Sequence, residues 1–423
     1  MRVSLVVRVA VSGLGDDVKI LQDLFAQVDE KTEVVLYETK TQKSAPKADI
    51  AVYIEHIPNE EASFDANYKI WIPNQEFVTD YDTARVGVID AIWCKTHHGM
   101  KVLSAIADKK KLIYTGWYTH KPYKFIPFSK KNKKLAIHMA GISSMKGTLD
   151  VIKAWQHRDI PDIDLFVCIG NMAINNKESK KIFAAIDKIT PMRTISNYHG
   201  IELKGFQHGN ITFCADRLDA TAYLAIISKA LWHVLPSRAE GFGHSINITR
   251  MVGSISVTTD AGPMNELITD DSGFLVPVKY TRPIRAVLHP WIDPKVPEFA
   301  NYISADGLVA VMKTAAANTD DELLLKITNA NTAATNEKKE CIRLVLAEIK
   351  KLTSTEADTS AVVAAEDIAS DSESDTSAVV AAEDIASDSE SDTSAVVAAE
   401  DIASDSESDI VSDSESDIVS DSD

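Results

Sequence analysis

No apolar run in this 423-residue chain approaches the roughly 18 residues that a membrane-spanning helix needs. Met1 to Val11 is apolar apart from Arg2, Ser4 and Arg8, and no small-residue cleavage site follows it. It therefore reads as a first strand rather than a secretory leader. Cysteine is scarce. Cys94, Cys168, Cys214 and Cys341 lie far apart, form no CxxC, and the first three sit inside apolar runs of strand type. Buried free thiols in a reducing, cytoplasmic compartment are expected, not disulfides or a metal site. A basic excess is also missing. After Thr355 there is no Lys, Arg, aromatic, Gly or Pro, and that segment holds 22 of the chain's 62 acidic residues. The body keeps 40 acids against 44 bases, so the overall charge of −18 belongs to the tail. A near-neutral body argues against nucleic acid as a partner.

The tail is a perfect repeat. Thr-Ser-Ala-Val-Val-Ala-Ala-Glu-Asp-Ile-Ala-Ser-Asp-Ser-Glu-Ser-Asp fills 359–375, 376–392 and 393–409, and shorter copies finish the chain. Each unit offers Val, Ala and one Ile beside a block of like charge. That is too little apolar surface for a stacked solenoid, so residues 356–423 are expected to be disordered. Such an arm suits a basic partner, and its serines flanked by acids suit phosphorylation.

The body alternates strands and helices. Strands are expected at 3–11, 33–37, 50–56, 68–72, 91–94 and 111–114, with helices at 18–28 and 97–106. Residues 12–17 read as a turn carrying Gly13 and Gly15. Residues 121–134, with Lys-Lys-Asn-Lys-Lys at 130–134, read as a solvated linker. The pattern then restarts. Strands follow at 135–140, 163–169, 211–215, 231–235, 255–259 and 274–278, with helices opening near 148, 180, 220 and 244. Residues 279–300 carry four prolines and read as irregular, and 336–352 as a closing helix. The expected architecture is α/β, with domains at 1–120 and 135–335, each built on a parallel sheet, and a ligand at the carboxyl ends of the strands.

The richest stretch runs from Pro236 to Glu266. A buried strand leads into Pro236, Gly241 and Gly243 follow, and a helix opens near His244. A glycine turn before a helix N-terminus is an anion site, because bare N–H groups and the helix dipole both favour phosphate. Glu240 on the same turn is suited to accept hydrogen bonds from hydroxyls, as on a sugar. Another such turn runs from Gly141 through Ser143, Ser144 and Lys146 to Gly147. A lysine at a helix start is mildly unfavourable unless an anion meets it.

These residues resemble the donor-binding segment of family-4 retaining glycosyltransferases of the GT-B fold. The matching positions are Pro236, Ser237, Glu240, Gly241, Phe242, Gly243, Gly253, Thr259, Asp260, Gly262 and Glu266, with Lys146 in the family's Lys-Gly loop. The resemblance covers roughly 135–280. It implies two Rossmann-like domains facing across a cleft, and transfer of a hexosyl or pentosyl unit from a nucleotide-diphosphate sugar to a glycan, lipid or protein acceptor with retention, without a metal or other cofactor. Lys146 and the Gly241–His244 turn would meet the diphosphate, and Glu240 the sugar hydroxyls. Gly141, Ser143, Ser144, Phe242, Gly243, His244, Asn247 and Glu266 would complete the donor site. Ile248 stands where the family has a second Glu that holds the ribose. The alternative reading follows from that departure: a sugar-nucleotide-binding or scaffold protein that kept the fold and lost catalysis.

The first half matches thinly. Gly13 and Gly15, at the end of the first strand, and His56, His97 and His98, near later strand ends, are its candidate contacts. Asp80-Tyr81-Asp82 and Asp162-Ile163-Asp164 read as solvated loop acids, and no metal site is expected.

Overall fold

The structure is a computed structural model that describes residues 1–8, 12–28, 31–40, 47–58, 65–140, 143–156, 160, 162–170, 177–190, 192–214 and 217–368. The first half runs β1 (Arg2–Val7), α1 (Ser12–Ala26), β2 (Glu33–Glu38), β3 (Ala48–Ile54), β4 (Ala66–Ile72), α2 (Asp80–Arg85), β5 (Ala91–Cys94), α3 (His97–Leu103) and β6 (Leu112–Tyr114). Its strands form one parallel sheet in the order β2-β1-β3-β4-β5-β6.

The second half runs β7 (Asn132–Met139), α4 (Thr148–Gln156), β8 (Asp164–Cys168), α5 (Lys177–Asp187), β9 (Arg193–Tyr198), β10 (Ile201–His208), β11 (Ile211–Cys214), α6 (Ala220–Lys229), β12 (Ala230–Leu235), α7 (His244–Val252), β13 (Ile255–Thr259), α8 (Met264–Leu267), β14 (Phe274–Val276), β15 (Tyr280–Pro283), β16 (Phe299–Tyr302), α9 (Ala305–Ala316) and α10 (Asp320–Ile368). Its large sheet has the order β14-β13-β12-β7-β8-β11-β10-β9. The chain builds outward in one direction through β7, β8 and β11, then in the other through β12, β13 and β14. The switch point is therefore the crevice between β7 and β12. In open α/β sheets that crevice, at the carboxyl ends of the strands, is where ligands bind.

Several expectations need correction. Gly13 and Gly15 lie inside α1, because that helix starts at Ser12 and absorbs the expected turn. Lys131 is not solvated: its ammonium is buried and donates to the Ser228 carbonyl and the Ser254 hydroxyl, both at 2.8 Å. Burial lowers its pKa to about 7. Asp82 is buried too. It closes a capping box with Thr79 at the start of α2 and accepts from the Ile57 N–H at 2.8 Å.

The four-proline segment is bracketed by the antiparallel pair β15–β16. The hairpin β9–β10 turns on His199 and Gly200, both with positive φ as tight hairpin turns require. The closing helix begins at Asp320, not at 336. Thr319 and Glu322 bond reciprocally there, and three acids occupy the first turn. It is described as far as Ile368. Residues 369–423 lie outside the described residues.

Helix α10 ties the halves together. Leu323 and Ile327 join the core around β7 and β8, whereas Cys341, Val345 and Ile349, spaced four apart on one face, join the core around β1 and β3. All four cysteines are buried and none is in a disulfide. No described helix is long and apolar enough to cross a membrane.

Candidate functional site

Strands β7 and β12 are neighbours, so the loops that follow them emerge side by side. The first carries Lys146. Ser143 starts it, its hydroxyl accepting from the Met145 N–H at 3.2 Å. Gly141, and the side chain of Ser144, lie outside the described residues. Gly147 closes the turn in the left-handed region (φ 71°), and a Cβ there would stand 2.3 Å from the Pro236 carbonyl oxygen. Only glycine lets the two loops approach this closely. The Arg238 N–H donates to the Met145 carbonyl at 2.8 Å and locks them together. The result is an ion pair between the Lys146 ammonium and the Glu240 carboxylate, with side chains 21% and 11% exposed. Gly243, with φ of 108°, then opens α7.

Beneath this pair His138 of β7 is fully buried. Its Nδ1 faces the Val234 carbonyl at 2.7 Å and its Nε2 the Thr148 hydroxyl at 2.9 Å. Burial pushes its pKa down to about 4, and that of His233 on β12 to about 3. Both imidazoles are neutral braces between strand and helix.

The first half meets these loops with residues that follow its own strand ends. After β4, Gln75 donates its amide to the Glu240 carbonyl at 2.6 Å, and Asn74 lies where a Cβ on Gly241 would strike it. Asn74 donates to Glu55 at 2.9 Å and accepts from Lys95 at 2.9 Å. Lys95, after β5, also donates to Asp17 at 2.6 Å, as does the Trp117 indole at 2.6 Å. Burial opposes charge on Asp17, but Lys95 and His244 overcome it and hold the carboxyl at about 2. Glu76 is buried, and its Oε2 has no partner among the described residues. Burial, with Glu240, Glu298 and Glu55 nearby, raises its pKa to about 8.

The structure thus gathers Lys146, Glu240, Phe242, Gly243 and His244 in one place. Phe242 is buried against His244 in an edge-on ring contact. His244 reaches out of the second half to Thr119 at 3.2 Å and Asp17 at 3.3 Å. A Cβ on Gly13 would lie 3.6 Å from the His244 ring, so α1 also reaches this point.

Glu266 stands opposite α3 and accepts from the backbone N–H groups of His97 and His98 at 2.9 and 2.5 Å. Of the candidate histidines, His98 reaches the second half through Glu298 at 2.8 Å, and His97 stacks on Tyr114. His56 bonds to Asp82 at 3.0 Å. Asn247 is buried, donating to Thr119 at 3.1 Å and accepting from Arg250 at 3.2 Å. Ile248 is 8% exposed in an apolar cluster with Leu135, Ile137 and Phe166.

Sequence reasoning missed Asn74, Gln75, Lys95 and Asp17. The available signal was position: the first three directly follow strands β4 and β5, at the edge where parallel sheets place ligands.

A scan against family models and a search of curated proteins found no match. Solved structures do match. A glycosyltransferase from Rickettsia africae is 11% identical with a TM-score of 0.54, over 83% of this chain and 98% of that one. Anabaena HepE, solved in complex with UDP and glucose, is 13% identical with a TM-score of 0.56, over 84% of this chain and 100% of its own. Sucrose-phosphate synthase from Thermosynechococcus elongatus is 12% identical with a TM-score of 0.57, over the same shares. At these identities the likeness is one of fold: two Rossmann-like sheets whose strand ends face each other, the GT-B fold of the glycosyltransferases.

Proposed function

We propose that the protein is a retaining glycosyltransferase that takes a nucleotide-diphosphate sugar as donor. The observation that carries this reading is the meeting of Lys146 and Glu240 at the switch point of the second sheet, beside the N-terminus of α7. An arriving diphosphate competes for the Lys146 ammonium with two negative charges against one, and the first N–H groups of α7 add to its hold. Release from Lys146 leaves the Glu240 carboxylate to accept hydroxyls of the donor sugar, which orients C1.

In the front-face step the bond from C1 to the diphosphate oxygen breaks as the bond to the acceptor oxygen forms on the same face. The acceptor's proton passes to the departing diphosphate. Charge neutralisation by Lys146 and positioning by Glu240 are the chain's contributions, with no cofactor in the scheme. Phe242, Gly243, His244 and Glu266 shape this site, and the Asn74–Gln75 segment closes it from the other half. HepE, which binds UDP and glucose, shares the fold, so uridine-diphosphate sugars are the first donors to screen.

Glu240→Gln tests the reading. It keeps the shape and the hydrogen bond from Gln75, which goes to the backbone, but lowers turnover by more than about tenfold, the worth of one charge-assisted hydrogen bond. Nucleotide affinity stays within a few fold. Unchanged turnover in the purified variant would remove Glu240 from the mechanism. The position of Ile248 in an apolar cluster favours a second reading, a donor-binding protein without transfer. Slow hydrolysis of the donor in the absence of acceptor separates the two, since a binder shows a thermal shift with UDP-sugars but no hydrolysis.

A further inference from the structure

The segment from β15 to β16 belongs to the second half but is fastened to the first. The Asp293 N–H donates to the Val78 carbonyl at 3.1 Å, and Ile292 bridges to Thr79. Ile292 is buried with Met145 and Ala239, the neighbours of Lys146 and Glu240. At the far end the Asn301 N–H donates to the Arg238 carbonyl at 2.8 Å, and the Arg238 guanidinium lies 4.3 Å over the Tyr302 ring. This strap therefore sits directly against both site loops and spans the seam.

One side chain on it is out of place for a structural residue. Five of the six tryptophans, Trp71, Trp93, Trp117, Trp155 and Trp232, are buried. Trp291 is 41% exposed, although its neighbour Ile292 is 1% exposed. The Trp291 ring is held edge-on to His56 at 6.4 Å and against His289 at 4.8 Å. The turn that carries it is fixed by Arg285, which donates to the Pro290 carbonyl at 2.9 Å. From His56 a polar path runs inward through Glu55 at 3.7 Å and Asn74 to Gly241.

An open indole flanked by two imidazoles, one of them backed by the Glu55 carboxylate, suits a sugar ring, whose C–H face stacks on the aromatic while its hydroxyls bond around it. A lipid chain would need a continuous apolar groove, and the flanks here are the imidazoles of His56 and His289.

We propose that Trp291 is the stacking platform of an acceptor site, and that the acceptor is a saccharide chain entering along the strap. The proposal deepens the transferase reading and rests on it for the word acceptor. It names the substrate class that the two loops leave open.

Trp291 is its own reporter. In the full-length protein its fluorescence is the fraction open to acrylamide quenching. Millimolar maltohexaose, cellohexaose and chitohexaose are tested as probes, with phosphatidylcholine vesicles as the lipid counterpart. At least one hexaose is expected to protect Trp291 from acrylamide, and the vesicles are not. By calorimetry with that hexaose, Trp291→Ala weakens binding about tenfold and Trp291→Tyr only two- to threefold, as ring loss and ring replacement should. Phe206→Ala removes an exposed aromatic on β10, one strand in from the far edge of the second sheet, and leaves affinity unchanged.

Protection by vesicles alone, by no probe, or equal affinity in Trp291→Ala would overturn the platform. UDP-sugar hydrolysis is measured in the same samples. Its absence beside hexaose protection would overturn the transferase reading and leave the saccharide platform standing. Hydrolysis without protection would do the reverse.

Discussion

The two halves of this molecule offer the same kind of surface, the carboxyl edge of a parallel sheet, but equip it differently. In the second half the chemistry arrives in two compact loops, Ser143–Gly147 and Pro236–Gly243, after adjacent strands. In the first it arrives one residue at a time, with Asp17 from α1, Glu55 after β3, Asn74 and Gln75 after β4, and Lys95 after β5. A short loop that must present a charged pair and a helix N-terminus needs glycine at fixed places, and so leaves a local signature. A network assembled from one helix and three strand ends needs only the right side chain at each place, and any neighbour sequence will serve.

The halves should also differ in their response to acid, which gives the largest effect expected. His138 and His233 brace β7 and β12 in neutral form, with pKa values lowered from 6.5 to about 4 and about 3. The folded state therefore binds fewer protons than the unfolded chain below pH 6.5. Their support is complete above that value and declines as pH falls, by about 1.4 kcal/mol per pH unit for each histidine down to the folded values. In the first half the buried carboxylate Asp17 has a pKa lowered from 3.8 to about 2, so its contribution is lost only on falling below about pH 4. Hydrogen exchange at pH 5 should show β7 and β12 loosening while β1 and β3 stay protected. Equal loosening in both sheets would erase this difference between the halves.

Ile248→Glu comes next. From family spacing alone, a glutamate there should restore a ribose contact and tighten nucleotide binding. The fold places Ile248 in the cluster with Leu135, Ile137 and Phe166. The substitution should therefore destabilise the second half by about 2–4 kcal/mol, as an apolar site forces the carboxyl to protonate or to break the packing. Chemical denaturation gives the value. A stable variant with tighter UDP binding would mean that the helix turns at little cost and that the family register holds.

Gln75→Ala isolates the seam. It removes one hydrogen bond to the Glu240 carbonyl, worth about 1 kcal/mol, so turnover should fall a few fold with little change in melting temperature. No change in turnover would separate the first half from control of Glu240. The smallest effect is expected from deleting 369–423, which should leave both melting temperature and donor hydrolysis unchanged. A fall of several degrees would mean that the repeats support the body.

The α/β alternation was legible because strands β5 and β13 coincide with their apolar runs, and most others differ by no more than two residues at either end. The hairpin β9–β10 was not legible. Its strands are largely exposed, so neither a hydrophobic stripe nor a buried run marked them, and only His199-Gly200 signalled a turn. The start of α10 could have been found, since Thr319 and Glu322 spell a capping box.

Local chemistry by itself determined the strand-and-helix order and the two glycine loops. It also determined the pairing of a lysine and a glutamate with phosphate and hydroxyl chemistry, because backbone freedom and charge are properties of a few neighbouring residues. Only the tertiary structure decided that Lys146 and Glu240 face each other, that Asn74, Gln75 and Lys95 close on them, that Ile248 points into the core, and that the strap brings Trp291 to the seam. Those outcomes depend on which strand lies beside which, and strand order is fixed by packing over long separations that no short window of sequence contains.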